Sequence, residues 1–200
     1  LNSVSLDVVL GQKLVICGPS GSGKSTLIRC VNQLETHQSG HIYINGVDVS
    51  DGAAGKSVIR ENVGMVFQQF NLWSHMTVLK NVVEAPITVL GRPRGEVVDE
   101  AMGLLAKVGI ADKANSFPAQ LSGGQQQRTF LARALVQKAD LFLMDEPFAA
   151  VDAATEKAIV TLLRELQLQG RTIVVVHHDL HTVPEYFDYL VLLNTRVVAA

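Results

Sequence analysis

The stretch that decides the fold is "KLVICGPSGSGKST", residues 13–26. Its opening, "KLVIC", is the kind of short Val/Leu/Ile run that forms a strand buried on both faces of a parallel sheet. Directly after it, Gly18, Pro19, Ser20, Gly21, Ser22, Gly23, Lys24 and Ser25 fit the pattern G-x-x-x-x-G-K-[ST], and Thr26 continues into a helix expected over 24–34. Strand, Gly-rich loop and helix start in that order build a cradle for phosphate. Backbone amides wrap a β-phosphate, Gly21 and Gly23 permit the backbone conformation and close approach, Lys24 reaches the β/γ oxygens, and the Ser25 hydroxyl ligates Mg²⁺. A Gly-rich turn that binds nothing is the plain alternative, and the strand–helix context weighs against it.

Further runs of the same kind follow: "VGMVF" (63–67), "LFLM" (141–144), "TIVVV" (172–176) and "YLVLL" (189–193). They predict an α/β protein, a P-loop NTPase core with a mixed, largely parallel sheet. "SVSLDVVL" (3–10) alternates as a strand does, and "GHIYING" (40–46) reads as a short strand ending in an Asn-Gly turn, so an antiparallel β part is expected near the N-terminus. Residues 78–108 turn helical, interrupted by "GRPRG" (91–95), and "SFPAQ" (116–120) reads as a loop. This predicts a helical subdomain, about 70–135, inserted in one domain spanning 1–200. A helix over 153–168 and a short one near 180–187 alternate with the last strands. Leu1 begins close to a strand and "TRVVAA" (195–200) stops in one, so the chain reads as a fragment truncated at both ends.

Composition narrows the class. Of the 200 residues 48% are hydrophobic, yet none of the apolar runs approaches the roughly 18–20 residues of a membrane-spanning helix. A net charge of −2 lacks the clustered basic excess of nucleic-acid binding, so no nucleic-acid partner is expected. Cys17 and Cys30 fit no metal-ligand spacing and read as reduced core thiols, and no signal peptide is visible, consistent with a cytosolic location.

Asp145 ends the run "LFLM", where a parallel strand would deliver a carboxylate beside the phosphate loop to hold Mg²⁺. Glu146 follows, and strand alternation would aim it elsewhere, to polarise an attacking water; the plain alternative is a surface carboxylate. "LSGGQQQR" (121–128) is a second Gly-rich helix start. Ser122 and Gln125 match a capping box, but a cap needs only Ser122, while Gly123 and Gly124 each weaken a helix by up to about 1 kcal/mol relative to Ala. Two glycines there suggest close approach by an anion. With the first cradle holding its own ATP, the second is most simply explained by the γ-phosphate of ATP on another copy. His177, His178, Asp179 and His181 form a loose cluster that could bind a transition metal.

In order, "GPSGSGKST", "VFQQ", "LSGGQQQR", "LFLMDEP", "VD" and "VVHHD" resemble the nucleotide-binding subunit of ABC transporters over essentially the whole chain. The resemblance implies an ATP-hydrolysing motor in which two copies sandwich two ATP molecules, each site using one P-loop and the partner's LSGGQ. It implies integral membrane permease subunits above it, a periplasmic or extracellular solute-binding protein acting indirectly, and a peripheral place at the cytoplasmic face of the cell membrane. It makes Gln68 the Q-loop residue touching Mg²⁺ and water, Asp152 the D-loop aspartate and His178 the switch histidine at the γ-phosphate. The plain alternatives are a solvated loop amide, a helix N-cap and a strand-end imidazole. It also makes "FNLWSHMTV" (70–78) part of a groove for a permease helix, against simple core packing of Trp73.

The likeness is uneven. The family's adenine-stacking aromatic lies upstream of Leu1, and "FAAVD" (148–152) departs from the usual Thr-Ser-Ala-Leu-Asp. Residues up to about 127 look like ATPases of polar amino-acid importers, whereas those from about 129 look more like ATPases of metal-cation importers. Amino acids are the favoured substrate because that match includes the region facing the permease. A metal-cation importer ATPase of manganese or zinc type is the near alternative. A soluble ABC ATPase of translation or DNA repair, or a P-loop kinase or non-hydrolysing module, stands further off.

Overall fold

The computed structural model describes the chain apart from Asp51, residues 68–70, Ala150, Asp179, residues 181–182 and Ala200. In chain order it runs β1 (Lys13–Cys17), α1 (Lys24–Val31), β2 (Tyr43–Ile44), β3 (Val47–Asp48), α2 (Gly52–Asn62), β4 (Val63–Val66), α3 (Val78–Thr88) and α4 (Arg94–Lys107). Then follow α5 (Gly123–Leu135), β5 (Leu141–Asp145), α6 (Ala153–Leu168), β6 (Thr172–Val176), α7 (Val183–Tyr186), β7 (Tyr189–Asn194) and β8 (Arg196–Ala199). A six-stranded sheet has the order β4–β5–β6–β1–β7–β8, parallel throughout except for the antiparallel edge strand β8.

The unbroken apolar runs are explained by burial on both faces. Val15, Cys17, Phe142, Met144, Ile173 and Val175 point into one core, shared with α3 to α6. Their immediate neighbours Leu14, Ile16, Leu143, Val174 and Val176 point into another, shared with Ile28 of α1 and Ile44 of the hairpin. Helix α6 shows how a helix joins such a core. Asp152 caps its start, Ile159, Leu162, Leu163 and Leu166 recur at helical spacing on its buried face, and Gly170 follows its end at φ 77°. Helices α3, α4 and α5 pack on one another, and Asn81, fully buried, ties the loop before α3 to that helix. It accepts from the Trp73 amide at 2.8 Å and donates to the carbonyls of Trp73, Met76 and Thr77 at 3.1 Å.

Several expectations are corrected. "SVSLDVVL" is not a strand. Val4 and Leu6 pack against the core, but Val9 and Leu10 are 62% and 73% exposed, and the nearby hairpin strands, two residues each, pair with one another. Alternation without a partner does not make a strand. The Asn-Gly hairpin itself forms, with Asn45 at φ 51° and Gly46 at φ 78°. α1 ends at Val31 because Gln33 turns left-handed (φ 58°). α2 was not legible, and the loop at 116–120 contains a 3₁₀ turn over Pro118–Gln120. Among the described residues no helix is long and apolar enough to cross a membrane.

Candidate functional site

The carboxyl ends of β1 and β5 form the floor of the site. Beyond Cys17 the chain passes so close to β7 that a Cβ on Gly18 would lie 2.0 Å from the Leu193 carbonyl oxygen, which only glycine tolerates. The loop is held by Ser22 N–H to the Pro19 carbonyl (3.2 Å) and by Thr195 N–H to the Ser22 carbonyl (3.0 Å). α1 opens on Gly23 at φ 97° with no side-chain cap. Lys24 is buried, its Nζ donating to the Gly18 and Pro19 carbonyls at 2.9 Å each. Ser22 is 3% exposed, and its Oγ has no hydrogen-bond partner among the described residues. A buried cation, an uncapped helix start and an orphaned buried hydroxyl fit a polyphosphate.

Asp145 ends β5 fully buried. It accepts from Ser25 Oγ at 2.7 Å and faces Arg29 Nη2 at 3.3 Å; Arg29 also reaches Glu35 at 3.5 Å. Ser25 and Asp145 thus put a hydroxyl and a carboxylate side by side, oxygen donors of the kind Mg²⁺ prefers. Glu146 does not continue the strand. Its backbone is left-handed (φ 50°), its amide donates to the Val176 carbonyl at 3.0 Å, and its Oε2 lies 3.8 Å from Nδ1 of the exposed His178. Asp145 and Glu146 therefore diverge through a turn, not through the alternation of a strand. Gln68, Asp179 and His181 lie outside the described residues, among which no group of three or more His, Cys, Asp or Glu could hold a metal ion.

Residues 122–125 form a self-sufficient helix start. Ser122 Oγ accepts from the Gln125 amide at 3.3 Å, and Gln125 Oε1 accepts from the Ser122 amide at 3.0 Å. The two glycines separate in role. A Cβ on Gly124 would meet Thr155 Oγ1 at 3.1 Å and Asp152 Oδ2 at 3.3 Å, whereas one on Gly123 would meet nothing within 4 Å. Gly124 thus has a reason inside the chain, and only Gly123 faces open space. Asp152 caps α6, accepting from the Thr155 amide at 2.7 Å, and that bond holds its carboxyl below the usual range. Phe148 packs on His177, Tyr186 and Phe187 of its own chain.

A family model described as "ABC transporter" matches residues 1–149. The chain belongs to that family. As an ABC ATPase of the polar amino-acid importer type it is 46% identical over 194 residues to the glutamine transport ATP-binding protein GlnQ of Geobacillus stearothermophilus, covering 97% of this chain and 80% of that one. It is 43% identical over 210 residues to the octopine permease ATP-binding protein P of Rhizobium radiobacter, covering 100% and 80%. Each relative spans both segments, up to about 127 and from about 129, so the amino-acid likeness is not confined to the first. Among solved structures, the dimeric post-hydrolysis state of the ATP-binding cassette MJ0796 bound to ADP and Pi aligns with TM-score 0.89 at 35% identity, covering 98% of this chain and 87% of that one.

Set on this ABC ATPase, three contacts went unread in the sequence. Arg29 on Asp145 gives no signal, being one basic residue in a helix. Gln127, 5% exposed, donates from Nε2 to the Pro147 carbonyl, a pairing across 20 residues that no local pattern announces. Arg133 stacks on Trp73, its guanidinium carbon 4.1 Å from the ring centre, and burial pushes that guanidinium's pKa down. Trp73 is half-buried and His75 exposed. Cys30 is buried, which raises its thiol pKa, in keeping with an inert core thiol.

Proposed function

We propose that this chain is the ATP-hydrolysing subunit of an importer for polar amino acids, working as two copies beneath membrane permease subunits at the cytoplasmic face. The observation that carries the chemistry is the 2.7 Å hydrogen bond joining Ser25 to buried Asp145, because it brings the P-loop and the strand-end carboxylate to one point. Gly18 to Thr26 wrap the phosphates of ATP, and Lys24 leaves its loop carbonyls for their oxygens. Ser25 and Asp145 would hold Mg²⁺, with Gln68 as a further ligand. When bound, Mg²⁺ neutralises charge on the β/γ oxygens. Glu146 takes the proton of the water that attacks the γ-phosphorus as its bond to the β-phosphate oxygen breaks and ADP leaves, and His178, 3.8 Å from Glu146, contacts the γ-phosphate. Ser122, Gly123, Gly124 and Gln125 face the ATP of the partner copy, with Asp152 behind them.

The substrate class is supported by the names of the relatives, which are glutamine and octopine transport proteins. A solute-binding protein outside the membrane would deliver the substrate. Reconstituting the subunit with its membrane permease subunits in vesicles should give ATP-dependent uptake of labelled glutamine or a related polar amino acid. Uptake of Mn²⁺ or Zn²⁺ in its place would overturn the substrate assignment and leave the ATPase chemistry standing.

A further inference from the structure

We propose that Gln127 is the positioning residue for Glu146, and that its side chain carries the position of the 122–125 turn to the carboxylate that activates water. The inference rests on the reading above, in which residues 122–125 meet the partner copy's ATP while Glu146 serves the chain's own.

Gln127 sits on α5 beside a core that holds Phe130 and Leu131. A buried amide costs stability unless it is hydrogen-bonded, and an aliphatic side chain would fill the same space at no such cost. Its Nε2 donates to the carbonyl of Pro147, the residue directly after Glu146. Glutamate does not settle into a left-handed backbone unaided; such strain persists only where the surroundings over-determine it. Glu146 is held from both sides: its own amide is fixed to Val176 of β6 at 3.0 Å, and the carbonyl of the following residue, Pro147, is fixed to α5 by Gln127. Ala149 N–H returns to the Glu146 carbonyl at 3.1 Å and closes the turn. Further along, Asp152 lies against the same helix where Gly124 leaves room for it. Pro147 and Asp152, flanking the turn, are both held on α5. A shift of the α5 N-terminus when it takes or releases the partner's nucleotide therefore moves the Pro147 carbonyl, and with it the Glu146 carboxylate.

The test uses the full-length protein with Gln127→Met, which keeps length and loses the donor, and Gln127→Asn, which keeps the amide but falls one methylene short. In folded variants kcat for ATP hydrolysis should drop about 10-fold, part of the 10²–10⁴ a positioned base supplies, with ATP Kd unchanged within about two-fold. In a Glu146→Gln background, Gln127→Met should still dimerise with ATP and Mg²⁺. A kcat within about two-fold of the parent, an equal loss of ATP affinity, or loss of the ATP-dependent dimer would each overturn the positioning role. Should Glu146→Gln alone fail to dimerise, the shared-site reading falls and transmission with it, while the kcat ratio still decides whether Gln127 positions Glu146.

Discussion

Helices α1 and α5 both start from runs of closely spaced glycines, and only α5 completes its own N-terminus. α5 is closed by Ser122 and Gln125, each accepting a hydrogen bond from the other's amide, and its first turn lies at the surface with Gly123 facing open space. α1 opens on Gly23 with no side-chain cap, beside a buried lysine and a buried Ser22 hydroxyl without a hydrogen-bond partner among the described residues. A helix start carries orphan N–H groups that something must satisfy. Where the chain leaves them to be met from outside and lines them with a buried cation, the start is built around a ligand of its own. Where side chains satisfy them and the surface stays flat, the start acts by what can be set against it. The same glycine-rich appearance in sequence thus covers two different physical designs.

The largest expected effect tests whether the two starts share a ligand. Glu146→Gln should lower ATP hydrolysis by a factor on the order of 10² to 10⁴ while ATP binding survives. Because the ATP persists, the variant should elute as a dimer in ATP and Mg²⁺ and as a monomer without them, by mass action on the bound state. A monomer at saturating ATP would leave α1 as the only nucleotide-binding start. Next in size, Lys24→Ala should weaken ATP binding roughly 10- to 100-fold by direct titration, the loss of a charge-assisted contact in a buried cradle. Unchanged affinity would remove α1 from the comparison.

How much of this contrast was readable beforehand depends on how local its cause is. β1, β5, β6 and β7 were legible because burial on both faces makes a continuous apolar run, and the phosphate loop because its signal lies within nine residues. The N-terminal strand was misread because alternation reports a half-buried face and not a pairing partner. α2 escaped because its sequence opens on Gly52 and carries Gly55, whose place is set by packing on the backbone of Val49, where a Cβ would come within 2.9 Å. Two adjacent glycines suggest an approaching anion, but that Asp152 and Thr155 also crowd Gly124, from 28 and 31 residues away, is not written in the local pattern. Arg29 on Asp145 and Gln127 on Pro147 are likewise contacts between distant elements, and only the assembled sheet brings them together.

Ser122→Arg separates the two starts more gently than a change to the P-loop. The arginine should leave ATP affinity within about two-fold of the parent, since the 18–26 loop is untouched. It should abolish the ATP-dependent dimer of the Glu146→Gln background by placing a bulky side chain at the open turn. Removing a Ser cap costs about 1 kcal/mol, so a modest loss in melting midpoint accompanies it. Dimerisation equal to the parent, read by size-exclusion chromatography, would mean that nothing docks at 122–125.

The smallest effect is the sharpest, because it divides two adjacent glycines. Gly123→Ala adds a methyl where there is nothing within 4 Å, and alanine favours the helix by up to about 1 kcal/mol over glycine. The isolated subunit should therefore melt no lower than the parent and as much as about 4 °C higher for a chain of this size. Gly124→Ala brings its methyl to 3.1 Å from Thr155 Oγ1 and 3.3 Å from Asp152 Oδ2, so those oxygens must give way and the cap of α6 loosens. Its melting midpoint should fall below that of Gly123→Ala. Stability and assembly then part company at Gly123. The methyl that steadies the helix also occupies the space through which a partner's phosphate would come, so this variant, in the Glu146→Gln background, should need more ATP to dimerise. A Gly123→Ala protein that is more stable and dimerises as readily as its parent would show that the open face is not used, and α5 would then be a capped helix and nothing more.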